Sequence, residues 1–196
     1  MSLRGYSDNE LIHRVEAFTQ GFDGWKKGVY DCWVRANKSA KEVDIFADKA
    51  YTFVVGDDGI PQFRMVCTGT SLTGSWALKN YRQYSKLGAA VLASNQFVRD
   101  SHFYGTHKGY AAYRQGKPFP FYRDGDLDNL AEELGELHTN EIILANCHRA
   151  KQNATSTIIY NWSAACLVRA SYTQWCGWLA FMNKRPLSVA ILREWD

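Results

Sequence analysis

His148-Arg149-Ala150, a polar spacer, then Asn161-Trp162-Ser163-Ala164-Ala165-Cys166-Leu167-Val168 is the stretch on which the reading of this chain turns. The apolar run at 141–146 predicts a buried strand that delivers an imidazole at its end. Leu167-Val168 predicts a second strand that begins beside a thiol. The polar segment 151–157 is long enough to loop back, so the spacing predicts that His148 and Cys166 meet. Free cysteine has a pKa of about 8.5 and is mostly protonated at neutral pH. An imidazole within hydrogen-bond reach takes that proton and later returns it to a leaving amine. Backbone N–H groups in the tight turn at 163–166 suit the oxyanion of a tetrahedral intermediate. The plainer reading is an inert buried thiol and a structural histidine, the commoner use of either residue alone.

Upstream lie His107-Lys108-Gly109 and Tyr122-Arg123-Asp124-Gly125-Asp126. Fourteen residues separate His148 from Ser163, which opens a Ser-x-x-Cys turn. Together these segments resemble the L,D-transpeptidase (YkuD-like) catalytic domain, and within it a divergent branch of phage and bacterial cell-wall proteins. The resemblance covers about residues 86–170 and, more weakly, the N-terminal third. It implies a mainly β (α+β) fold, an L,D-transpeptidase-like β-sandwich with an N-terminal helix and a short C-terminal helix. It implies Cys166 as nucleophile, His148 as base and then acid, and the carbonyl of Arg149 as the group that orients the imidazole. Ser163, Trp162, Arg169 and His107 would line the substrate site. The implied substrate is a peptidoglycan stem peptide or cross-link, attacked at a carbonyl between an L-centre and a D-amino acid, with no cofactor.

Two positions depart from the family's Ser/Thr-His-Gly-Cys turn. Ala164 stands for the His and Ala165 for the Gly. A Cβ at 165 is expected to crowd the turn or shift its backbone angles. These alanines favour a competing expectation, a virion, tail or injection-particle component that keeps the fold without the chemistry.

Composition bounds the rest. With 196 residues, 46% hydrophobic and 22% charged, the chain is an ordinary globular one. Residues 1–22 are expected as a helical segment and 23–196 as a single β-rich domain. A net charge of +3 gives no nucleic-acid footprint. Five irregularly spaced cysteines form no disulfide framework and predict a reducing compartment. Cys147, His148, Cys166 and Cys176 match no zinc spacing, and adjacent Cys147 and His148 should face opposite sides of a strand. No apolar leader is expected at the N-terminus, and no apolar run approaches the roughly 18 residues of a membrane span. A wall enzyme made in the cytoplasm without a leader must reach the wall or periplasm in a phage particle, by host lysis or through an injection machine. Hydrolysis is then expected over transpeptidation.

Along the chain, Ser7 and Glu10 predict a capped helix at 8–19, with Leu11, Val15 and Phe18 on one face. Strands are predicted at 25–36, 45–55 and 62–70, the last two joined by the turn Gly56-Asp57-Asp58-Gly59. A polar loop is expected at 37–41 and a loop or short helix at 70–86. Short strands follow at 88–92 and 121–123. Asp124, Asp126 and Asp128 open like a calcium loop, but Asn129 and Gly135 stand where its Gly and closing Glu belong, so an acidic turn is expected. Trp175, Trp178, Leu179 and Met182 fall at i, i+3, i+4 and i+7 and predict a helix at 172–182. A final strand or helical turn is expected at 187–192.

Overall fold

The structure, a computed structural model, describes residues 5–37 and 44–195. Residues 1–4 and the polar loop expected at 37–41, Asn37 apart, lie outside the described residues. Helix α1 spans Asp8–Phe18 and begins with a reciprocal cap. The Ser7 hydroxyl accepts from the Glu10 N–H, and the Glu10 carboxylate accepts from the Ser7 N–H at 2.8 Å. Each bond satisfies a donor that the first helical turn leaves without a partner. Leu11 and Val15 are fully buried.

The strands β1 (Gly28–Arg35), β2 (Asp48–Val55) and β3 (Pro61–Thr70) follow, β2 and β3 forming the hairpin around Gly56–Gly59. Helix α2 (Ser75–Asn80) and a 3-10 turn (Tyr81–Gln83) occupy the segment expected as a loop or short helix. Then come β4 (Ala89–Leu92), β5 (Gln96–His107), β6 (Tyr110–Gln115), β7 (Phe121–Asp124), β8 (Cys147–Arg149) and β9 (Leu167–Arg169). Helix α3 (Tyr172–Met182) and β10 (Leu187–Arg193) complete the chain. Lys108 and Gly109, at φ 48° and 84°, form the two-residue turn between β5 and β6. Positive φ at both positions matches the twist of the flanking strands.

The fold is mainly β with three short helices. The main sheet differs from the expected sandwich, because it closes into a barrel in the order β1-β10-β5-β6-β8-β9-β3-β2. Closure depends on β10. After α3 it returns to pair parallel with β1 and antiparallel with β5. The short parallel pair β8–β9 joins the β6 and β3 sides. A separate two-stranded sheet pairs β4 with β7.

Both faces of β1 are covered, which explains its nearly unbroken apolar run. Val29 and Trp33 pack with Trp175, Trp178 and Met182 of α3. Tyr30, Cys32 and Val34 pack in a second cluster with Leu11 and Val15 of α1. One expected strand is corrected. Residues 141–146 form no strand, and the imidazole is carried in the middle of the three-residue β8. Ile142 and Leu144 are about half exposed. Side chains satisfy Ala145 of that run, its N–H donating to Gln115 Oε1 at 2.8 Å and its carbonyl accepting from His102 Nε2 at 2.7 Å.

Candidate active site

The parallel register of β8 and β9 sets the site. Cys147 pairs with Leu167 and His148 with Val168. Alternation then divides the residues between two faces. Cys147 and Leu167 enter the main core. His148 and Cys166 line the opposite side, at one cleft of about 640 Å³. Trp162, His107 and Asn146 line it too.

His148 is 2% exposed. Its Nδ1 lies 2.7 Å from the carbonyl oxygen of Arg149, a pure acceptor, so Nδ1 carries the proton and donates. The Tyr110 hydroxyl lies 3.2 Å from the same nitrogen and donates to the same carbonyl at 3.3 Å. The remaining nitrogen, Nε2, is buried with no hydrogen-bond partner among the described residues. Its lone pair is therefore free to take a proton. The His107 ring stacks on His148 at 4.2 Å and 7°. Burial, the His107 ring and nearby cations push the His148 pKa down to about 3, so the ring is neutral.

Cys166 is 7% exposed. Burial pushes its thiol up to about 11, while the backbone N–H groups of Asn146 and Ala164 oppose that shift. The thiol donates to the carbonyl of Leu144 at 3.6 Å. The resting pair is thus a neutral thiol and a neutral imidazole in one cleft. The turn before the sulfur is pinned by the Ser163 hydroxyl, which donates to the Cys166 carbonyl at 2.9 Å. Ala165 sits at φ 85°, in the left-handed region that a glycine adopts freely.

No family model, curated protein or solved structure matches this chain. The site therefore stands on its own geometry.

Two expected substrate residues are corrected. Ser163 is fully buried and its hydroxyl is spent on the turn, so it does not line the cleft. Arg169 is also fully buried, on the far face of β9. Its guanidinium pairs with Asp31, donates to Cys147 Sγ at 2.8 Å and lies 3.7 Å over the Trp178 ring. Trp162 and His107 do line the cleft. Arg149 contributes its carbonyl, while its guanidinium lies 4.1 Å over the Tyr110 ring.

Tyr110 and Asn146 are site residues that sequence reasoning missed. Tyr110 lies directly after His107-Lys108-Gly109, and a two-residue turn there pairs it opposite His107. A hairpin read at that glycine would have found it. The Asn146 amide nitrogen lies 3.4 Å from His107 Nδ1.

The four cysteine and histidine side chains weighed as a metal set do not converge. Cys147 faces the core and Cys176 is exposed on α3. At the acidic turn the carboxylates of Asp126, Asp128 and Glu132 lie together, their ligand atoms within 4.8 Å. Asp124 has turned inward, where it accepts from the Glu132 N–H at 2.9 Å.

Proposed function

We propose that this chain is a cysteine-dependent hydrolase of peptidoglycan peptide bonds, acting on stem peptides or cross-links. The observation that carries the reading is the His148 imidazole, oriented by the Arg149 carbonyl, with its buried Nε2 unpaired, at the cleft that Cys166 also lines. As the thiol turns from the Leu144 carbonyl toward Nε2, its proton passes to the imidazole and Sγ attacks the substrate carbonyl carbon. The Arg149 carbonyl stabilises the imidazolium that forms. Nε2–H then protonates the leaving amine as the C–N bond breaks, leaving a thioester on Cys166. His148 takes a proton from water, and the hydroxide attacks the thioester. The acid product departs and the proton returns to sulfur. The N–H groups of Asn146 and Ala164 stabilise negative charge at the sulfur. The resemblance to cell-wall and phage proteins supports the substrate class and delivery in a phage particle or through an injection machine. A protein so delivered gains from opening a wall rather than knitting one, which favours water as the acceptor.

A second reading, a particle component that keeps the fold without the chemistry, is favoured by the thiol's bond to Leu144 and its raised pKa. One experiment separates the two. Purified peptidoglycan is digested with the parent and with Cys166→Ala, and released peptides are weighed by mass spectrometry. The hydrolase reading expects a rate loss of about 10³-fold or more in the variant. Equal release by both proteins sinks it. If neither acts, and Cys166 takes up a carbapenem or thiol reagent no faster than buried Cys32, the particle reading holds.

A further inference from the structure

Four charged side chains line the cleft: Lys108, Arg114, Arg123 and Glu141. Glu141 lies 3.5 Å from Arg123, so that cation is answered. Lys108 and Arg114 are exposed and have no anionic partner among the described residues. Ile142, Leu144 and Trp162 add apolar surface to the same cleft. The cleft therefore presents two unanswered positive charges to whatever enters it.

Their placement follows from the β5–β6 hairpin. Gly105 pairs with Ala112, and Phe103 with Arg114. A Cβ on Gly105 would stand 3.1 Å from Arg114 Cδ and 3.2 Å from its Cγ. The arginine thus runs across β5 through the space that this glycine leaves. Lys108 occupies the first position of the turn at the end of the same hairpin. Burial lowers the pKa of His107, and both Lys108 and Arg114 lower it further, which places both charges near that ring. His107 stacks on His148.

We infer that Lys108 and Arg114, the arginine bedded on Gly105, form a receptor for a substrate carboxylate on the leaving-group side of the cleft. The side rests on the proposed hydrolysis: His148 protonates the leaving amine, so the leaving residue lies beside the stacked imidazoles, against these two cations. The charge requirement rests on the cleft alone. The carboxylate is either the terminal α-carboxylate of the leaving residue or a carboxylate on its side chain. Both offer the same planar anion, which a guanidinium grips in bidentate fashion.

Synthetic stem peptides with both carboxylates free, with the terminal one amidated, or with the side-chain one amidated test the receptor. Turnover is followed by mass spectrometry for the parent, Arg114→Leu, Arg114→Lys, Lys108→Met and Gly105→Val. The free acid is expected to be preferred over one of the amides by about tenfold or more, mainly through KM. The amide that loses turnover identifies the carboxylate. The preference should collapse in Arg114→Leu and Gly105→Val and return in part in Arg114→Lys. Equal kcat/KM for all three peptides in the parent overturns the receptor and leaves hydrolysis standing. If no peptide is cut, calorimetric binding to the Cys166→Ala protein decides. Tighter binding of the acid, lost on adding Arg114→Leu, keeps the receptor without the hydrolase, and equal binding of acid and amides overturns it.

Discussion

At the scale of single residues, Ala165 shows how a sequence departure is absorbed. Its φ of 85° costs an L-residue roughly 1–2 kcal/mol. Glycine there would remove that strain. It would also free the unfolded chain by roughly 0.4–1 kcal/mol and delete a buried methyl worth about 0.8 kcal/mol. The terms nearly cancel, so Ala165→Gly should change stability by less than about 1 kcal/mol, under about 4 °C in Tm. Ala165→Val should cost about 2–4 kcal/mol, because a branched Cβ meets both the backbone angle and a closed core. Thermal melts of the two variants check this, and an unshifted Val variant would show that the turn is not held as described. The same residue scale shows what the sequence could reveal of the site. That His148 and Cys166 share one cleft, though no hydrogen bond joins them, was legible because a polar spacer between two short strands lets the chain return and set them side by side. Arg169 was misplaced because its charge was weighed and its parity was not. Leu167 and Arg169 alternate with Val168, so the arginine shares the buried face with Leu167 and Cys147. Ser163 was misjudged differently: nothing in the sequence says whether a turn hydroxyl serves the backbone or a ligand.

At the scale of elements, Asp31 of β1 ties three pieces of the fold together. Its carboxylate accepts from Thr52 of β2 at 2.7 Å and from the Trp178 indole of α3 at 3.3 Å, and it pairs with Arg169 of β9. Both charged side chains are fully buried. Burial works against the Arg169 charge, yet Asp31 and the neighbouring thiols hold its pKa above the ordinary value. Breaking such a pair leaves one uncompensated charge in the core, so Asp31→Ala should cost about 3–5 kcal/mol. The double variant Asp31→Leu with Arg169→Met should recover most of that loss, as measured by denaturant unfolding. A cost under about 1 kcal/mol for the single change would mean that water reaches the pair. The elements differ in how far their sequences announced them. α1 was plain from its reciprocal cap, and α3 from the spacing of Trp175, Trp178 and Met182. The β2–β3 hairpin was plain from its Gly-Asp-Asp-Gly turn. The run at 141–146 was not, because apolar residues that line a cleft look the same in sequence as those that fill a core. Nor was the barrel: pairing of β10 with β1 is a long-range contact, set by where α3 redirects the chain and by no local pattern.

At the scale of the whole molecule, buried titratable groups set a pH window for the fold. His102 is fully buried, its Nε2 donating to the Ala145 carbonyl at 2.7 Å, and burial pushes its pKa down to about 4. His148 is pushed down to about 3, and His107 is lowered as well. An unfolded histidine titrates near 6.5. Below about pH 6.5 the unfolded chain therefore binds more protons than the folded one, and stability falls as pH falls toward 3. Asp124, raised to about 6 by burial, and Glu132, raised as well, work the other way above their unfolded pKa values, but two carboxyls oppose three imidazoles. On the alkaline side, burial raises Cys166 to about 11 and Cys147 to about 12, and an unfolded thiol titrates near 8.5. There the folded chain holds more protons, and stability falls as pH rises from about 8.5. Urea midpoints measured across pH should show a plateau from about 6.5 to 8.5 with a loss on each side. A midpoint unchanged from neutrality down to about pH 4.5 would contradict the burial of these rings. The acid limb also constrains the chemistry. Within the folded protein His148 gains its second proton only near 3, well below the pH of about 6.5 at which the fold begins to weaken. If the proposed hydrolysis runs through His148, its loss in acid should therefore track loss of the circular dichroism signal, and an activity that disappears while the fold is intact would place the essential ionisation on a group other than His148.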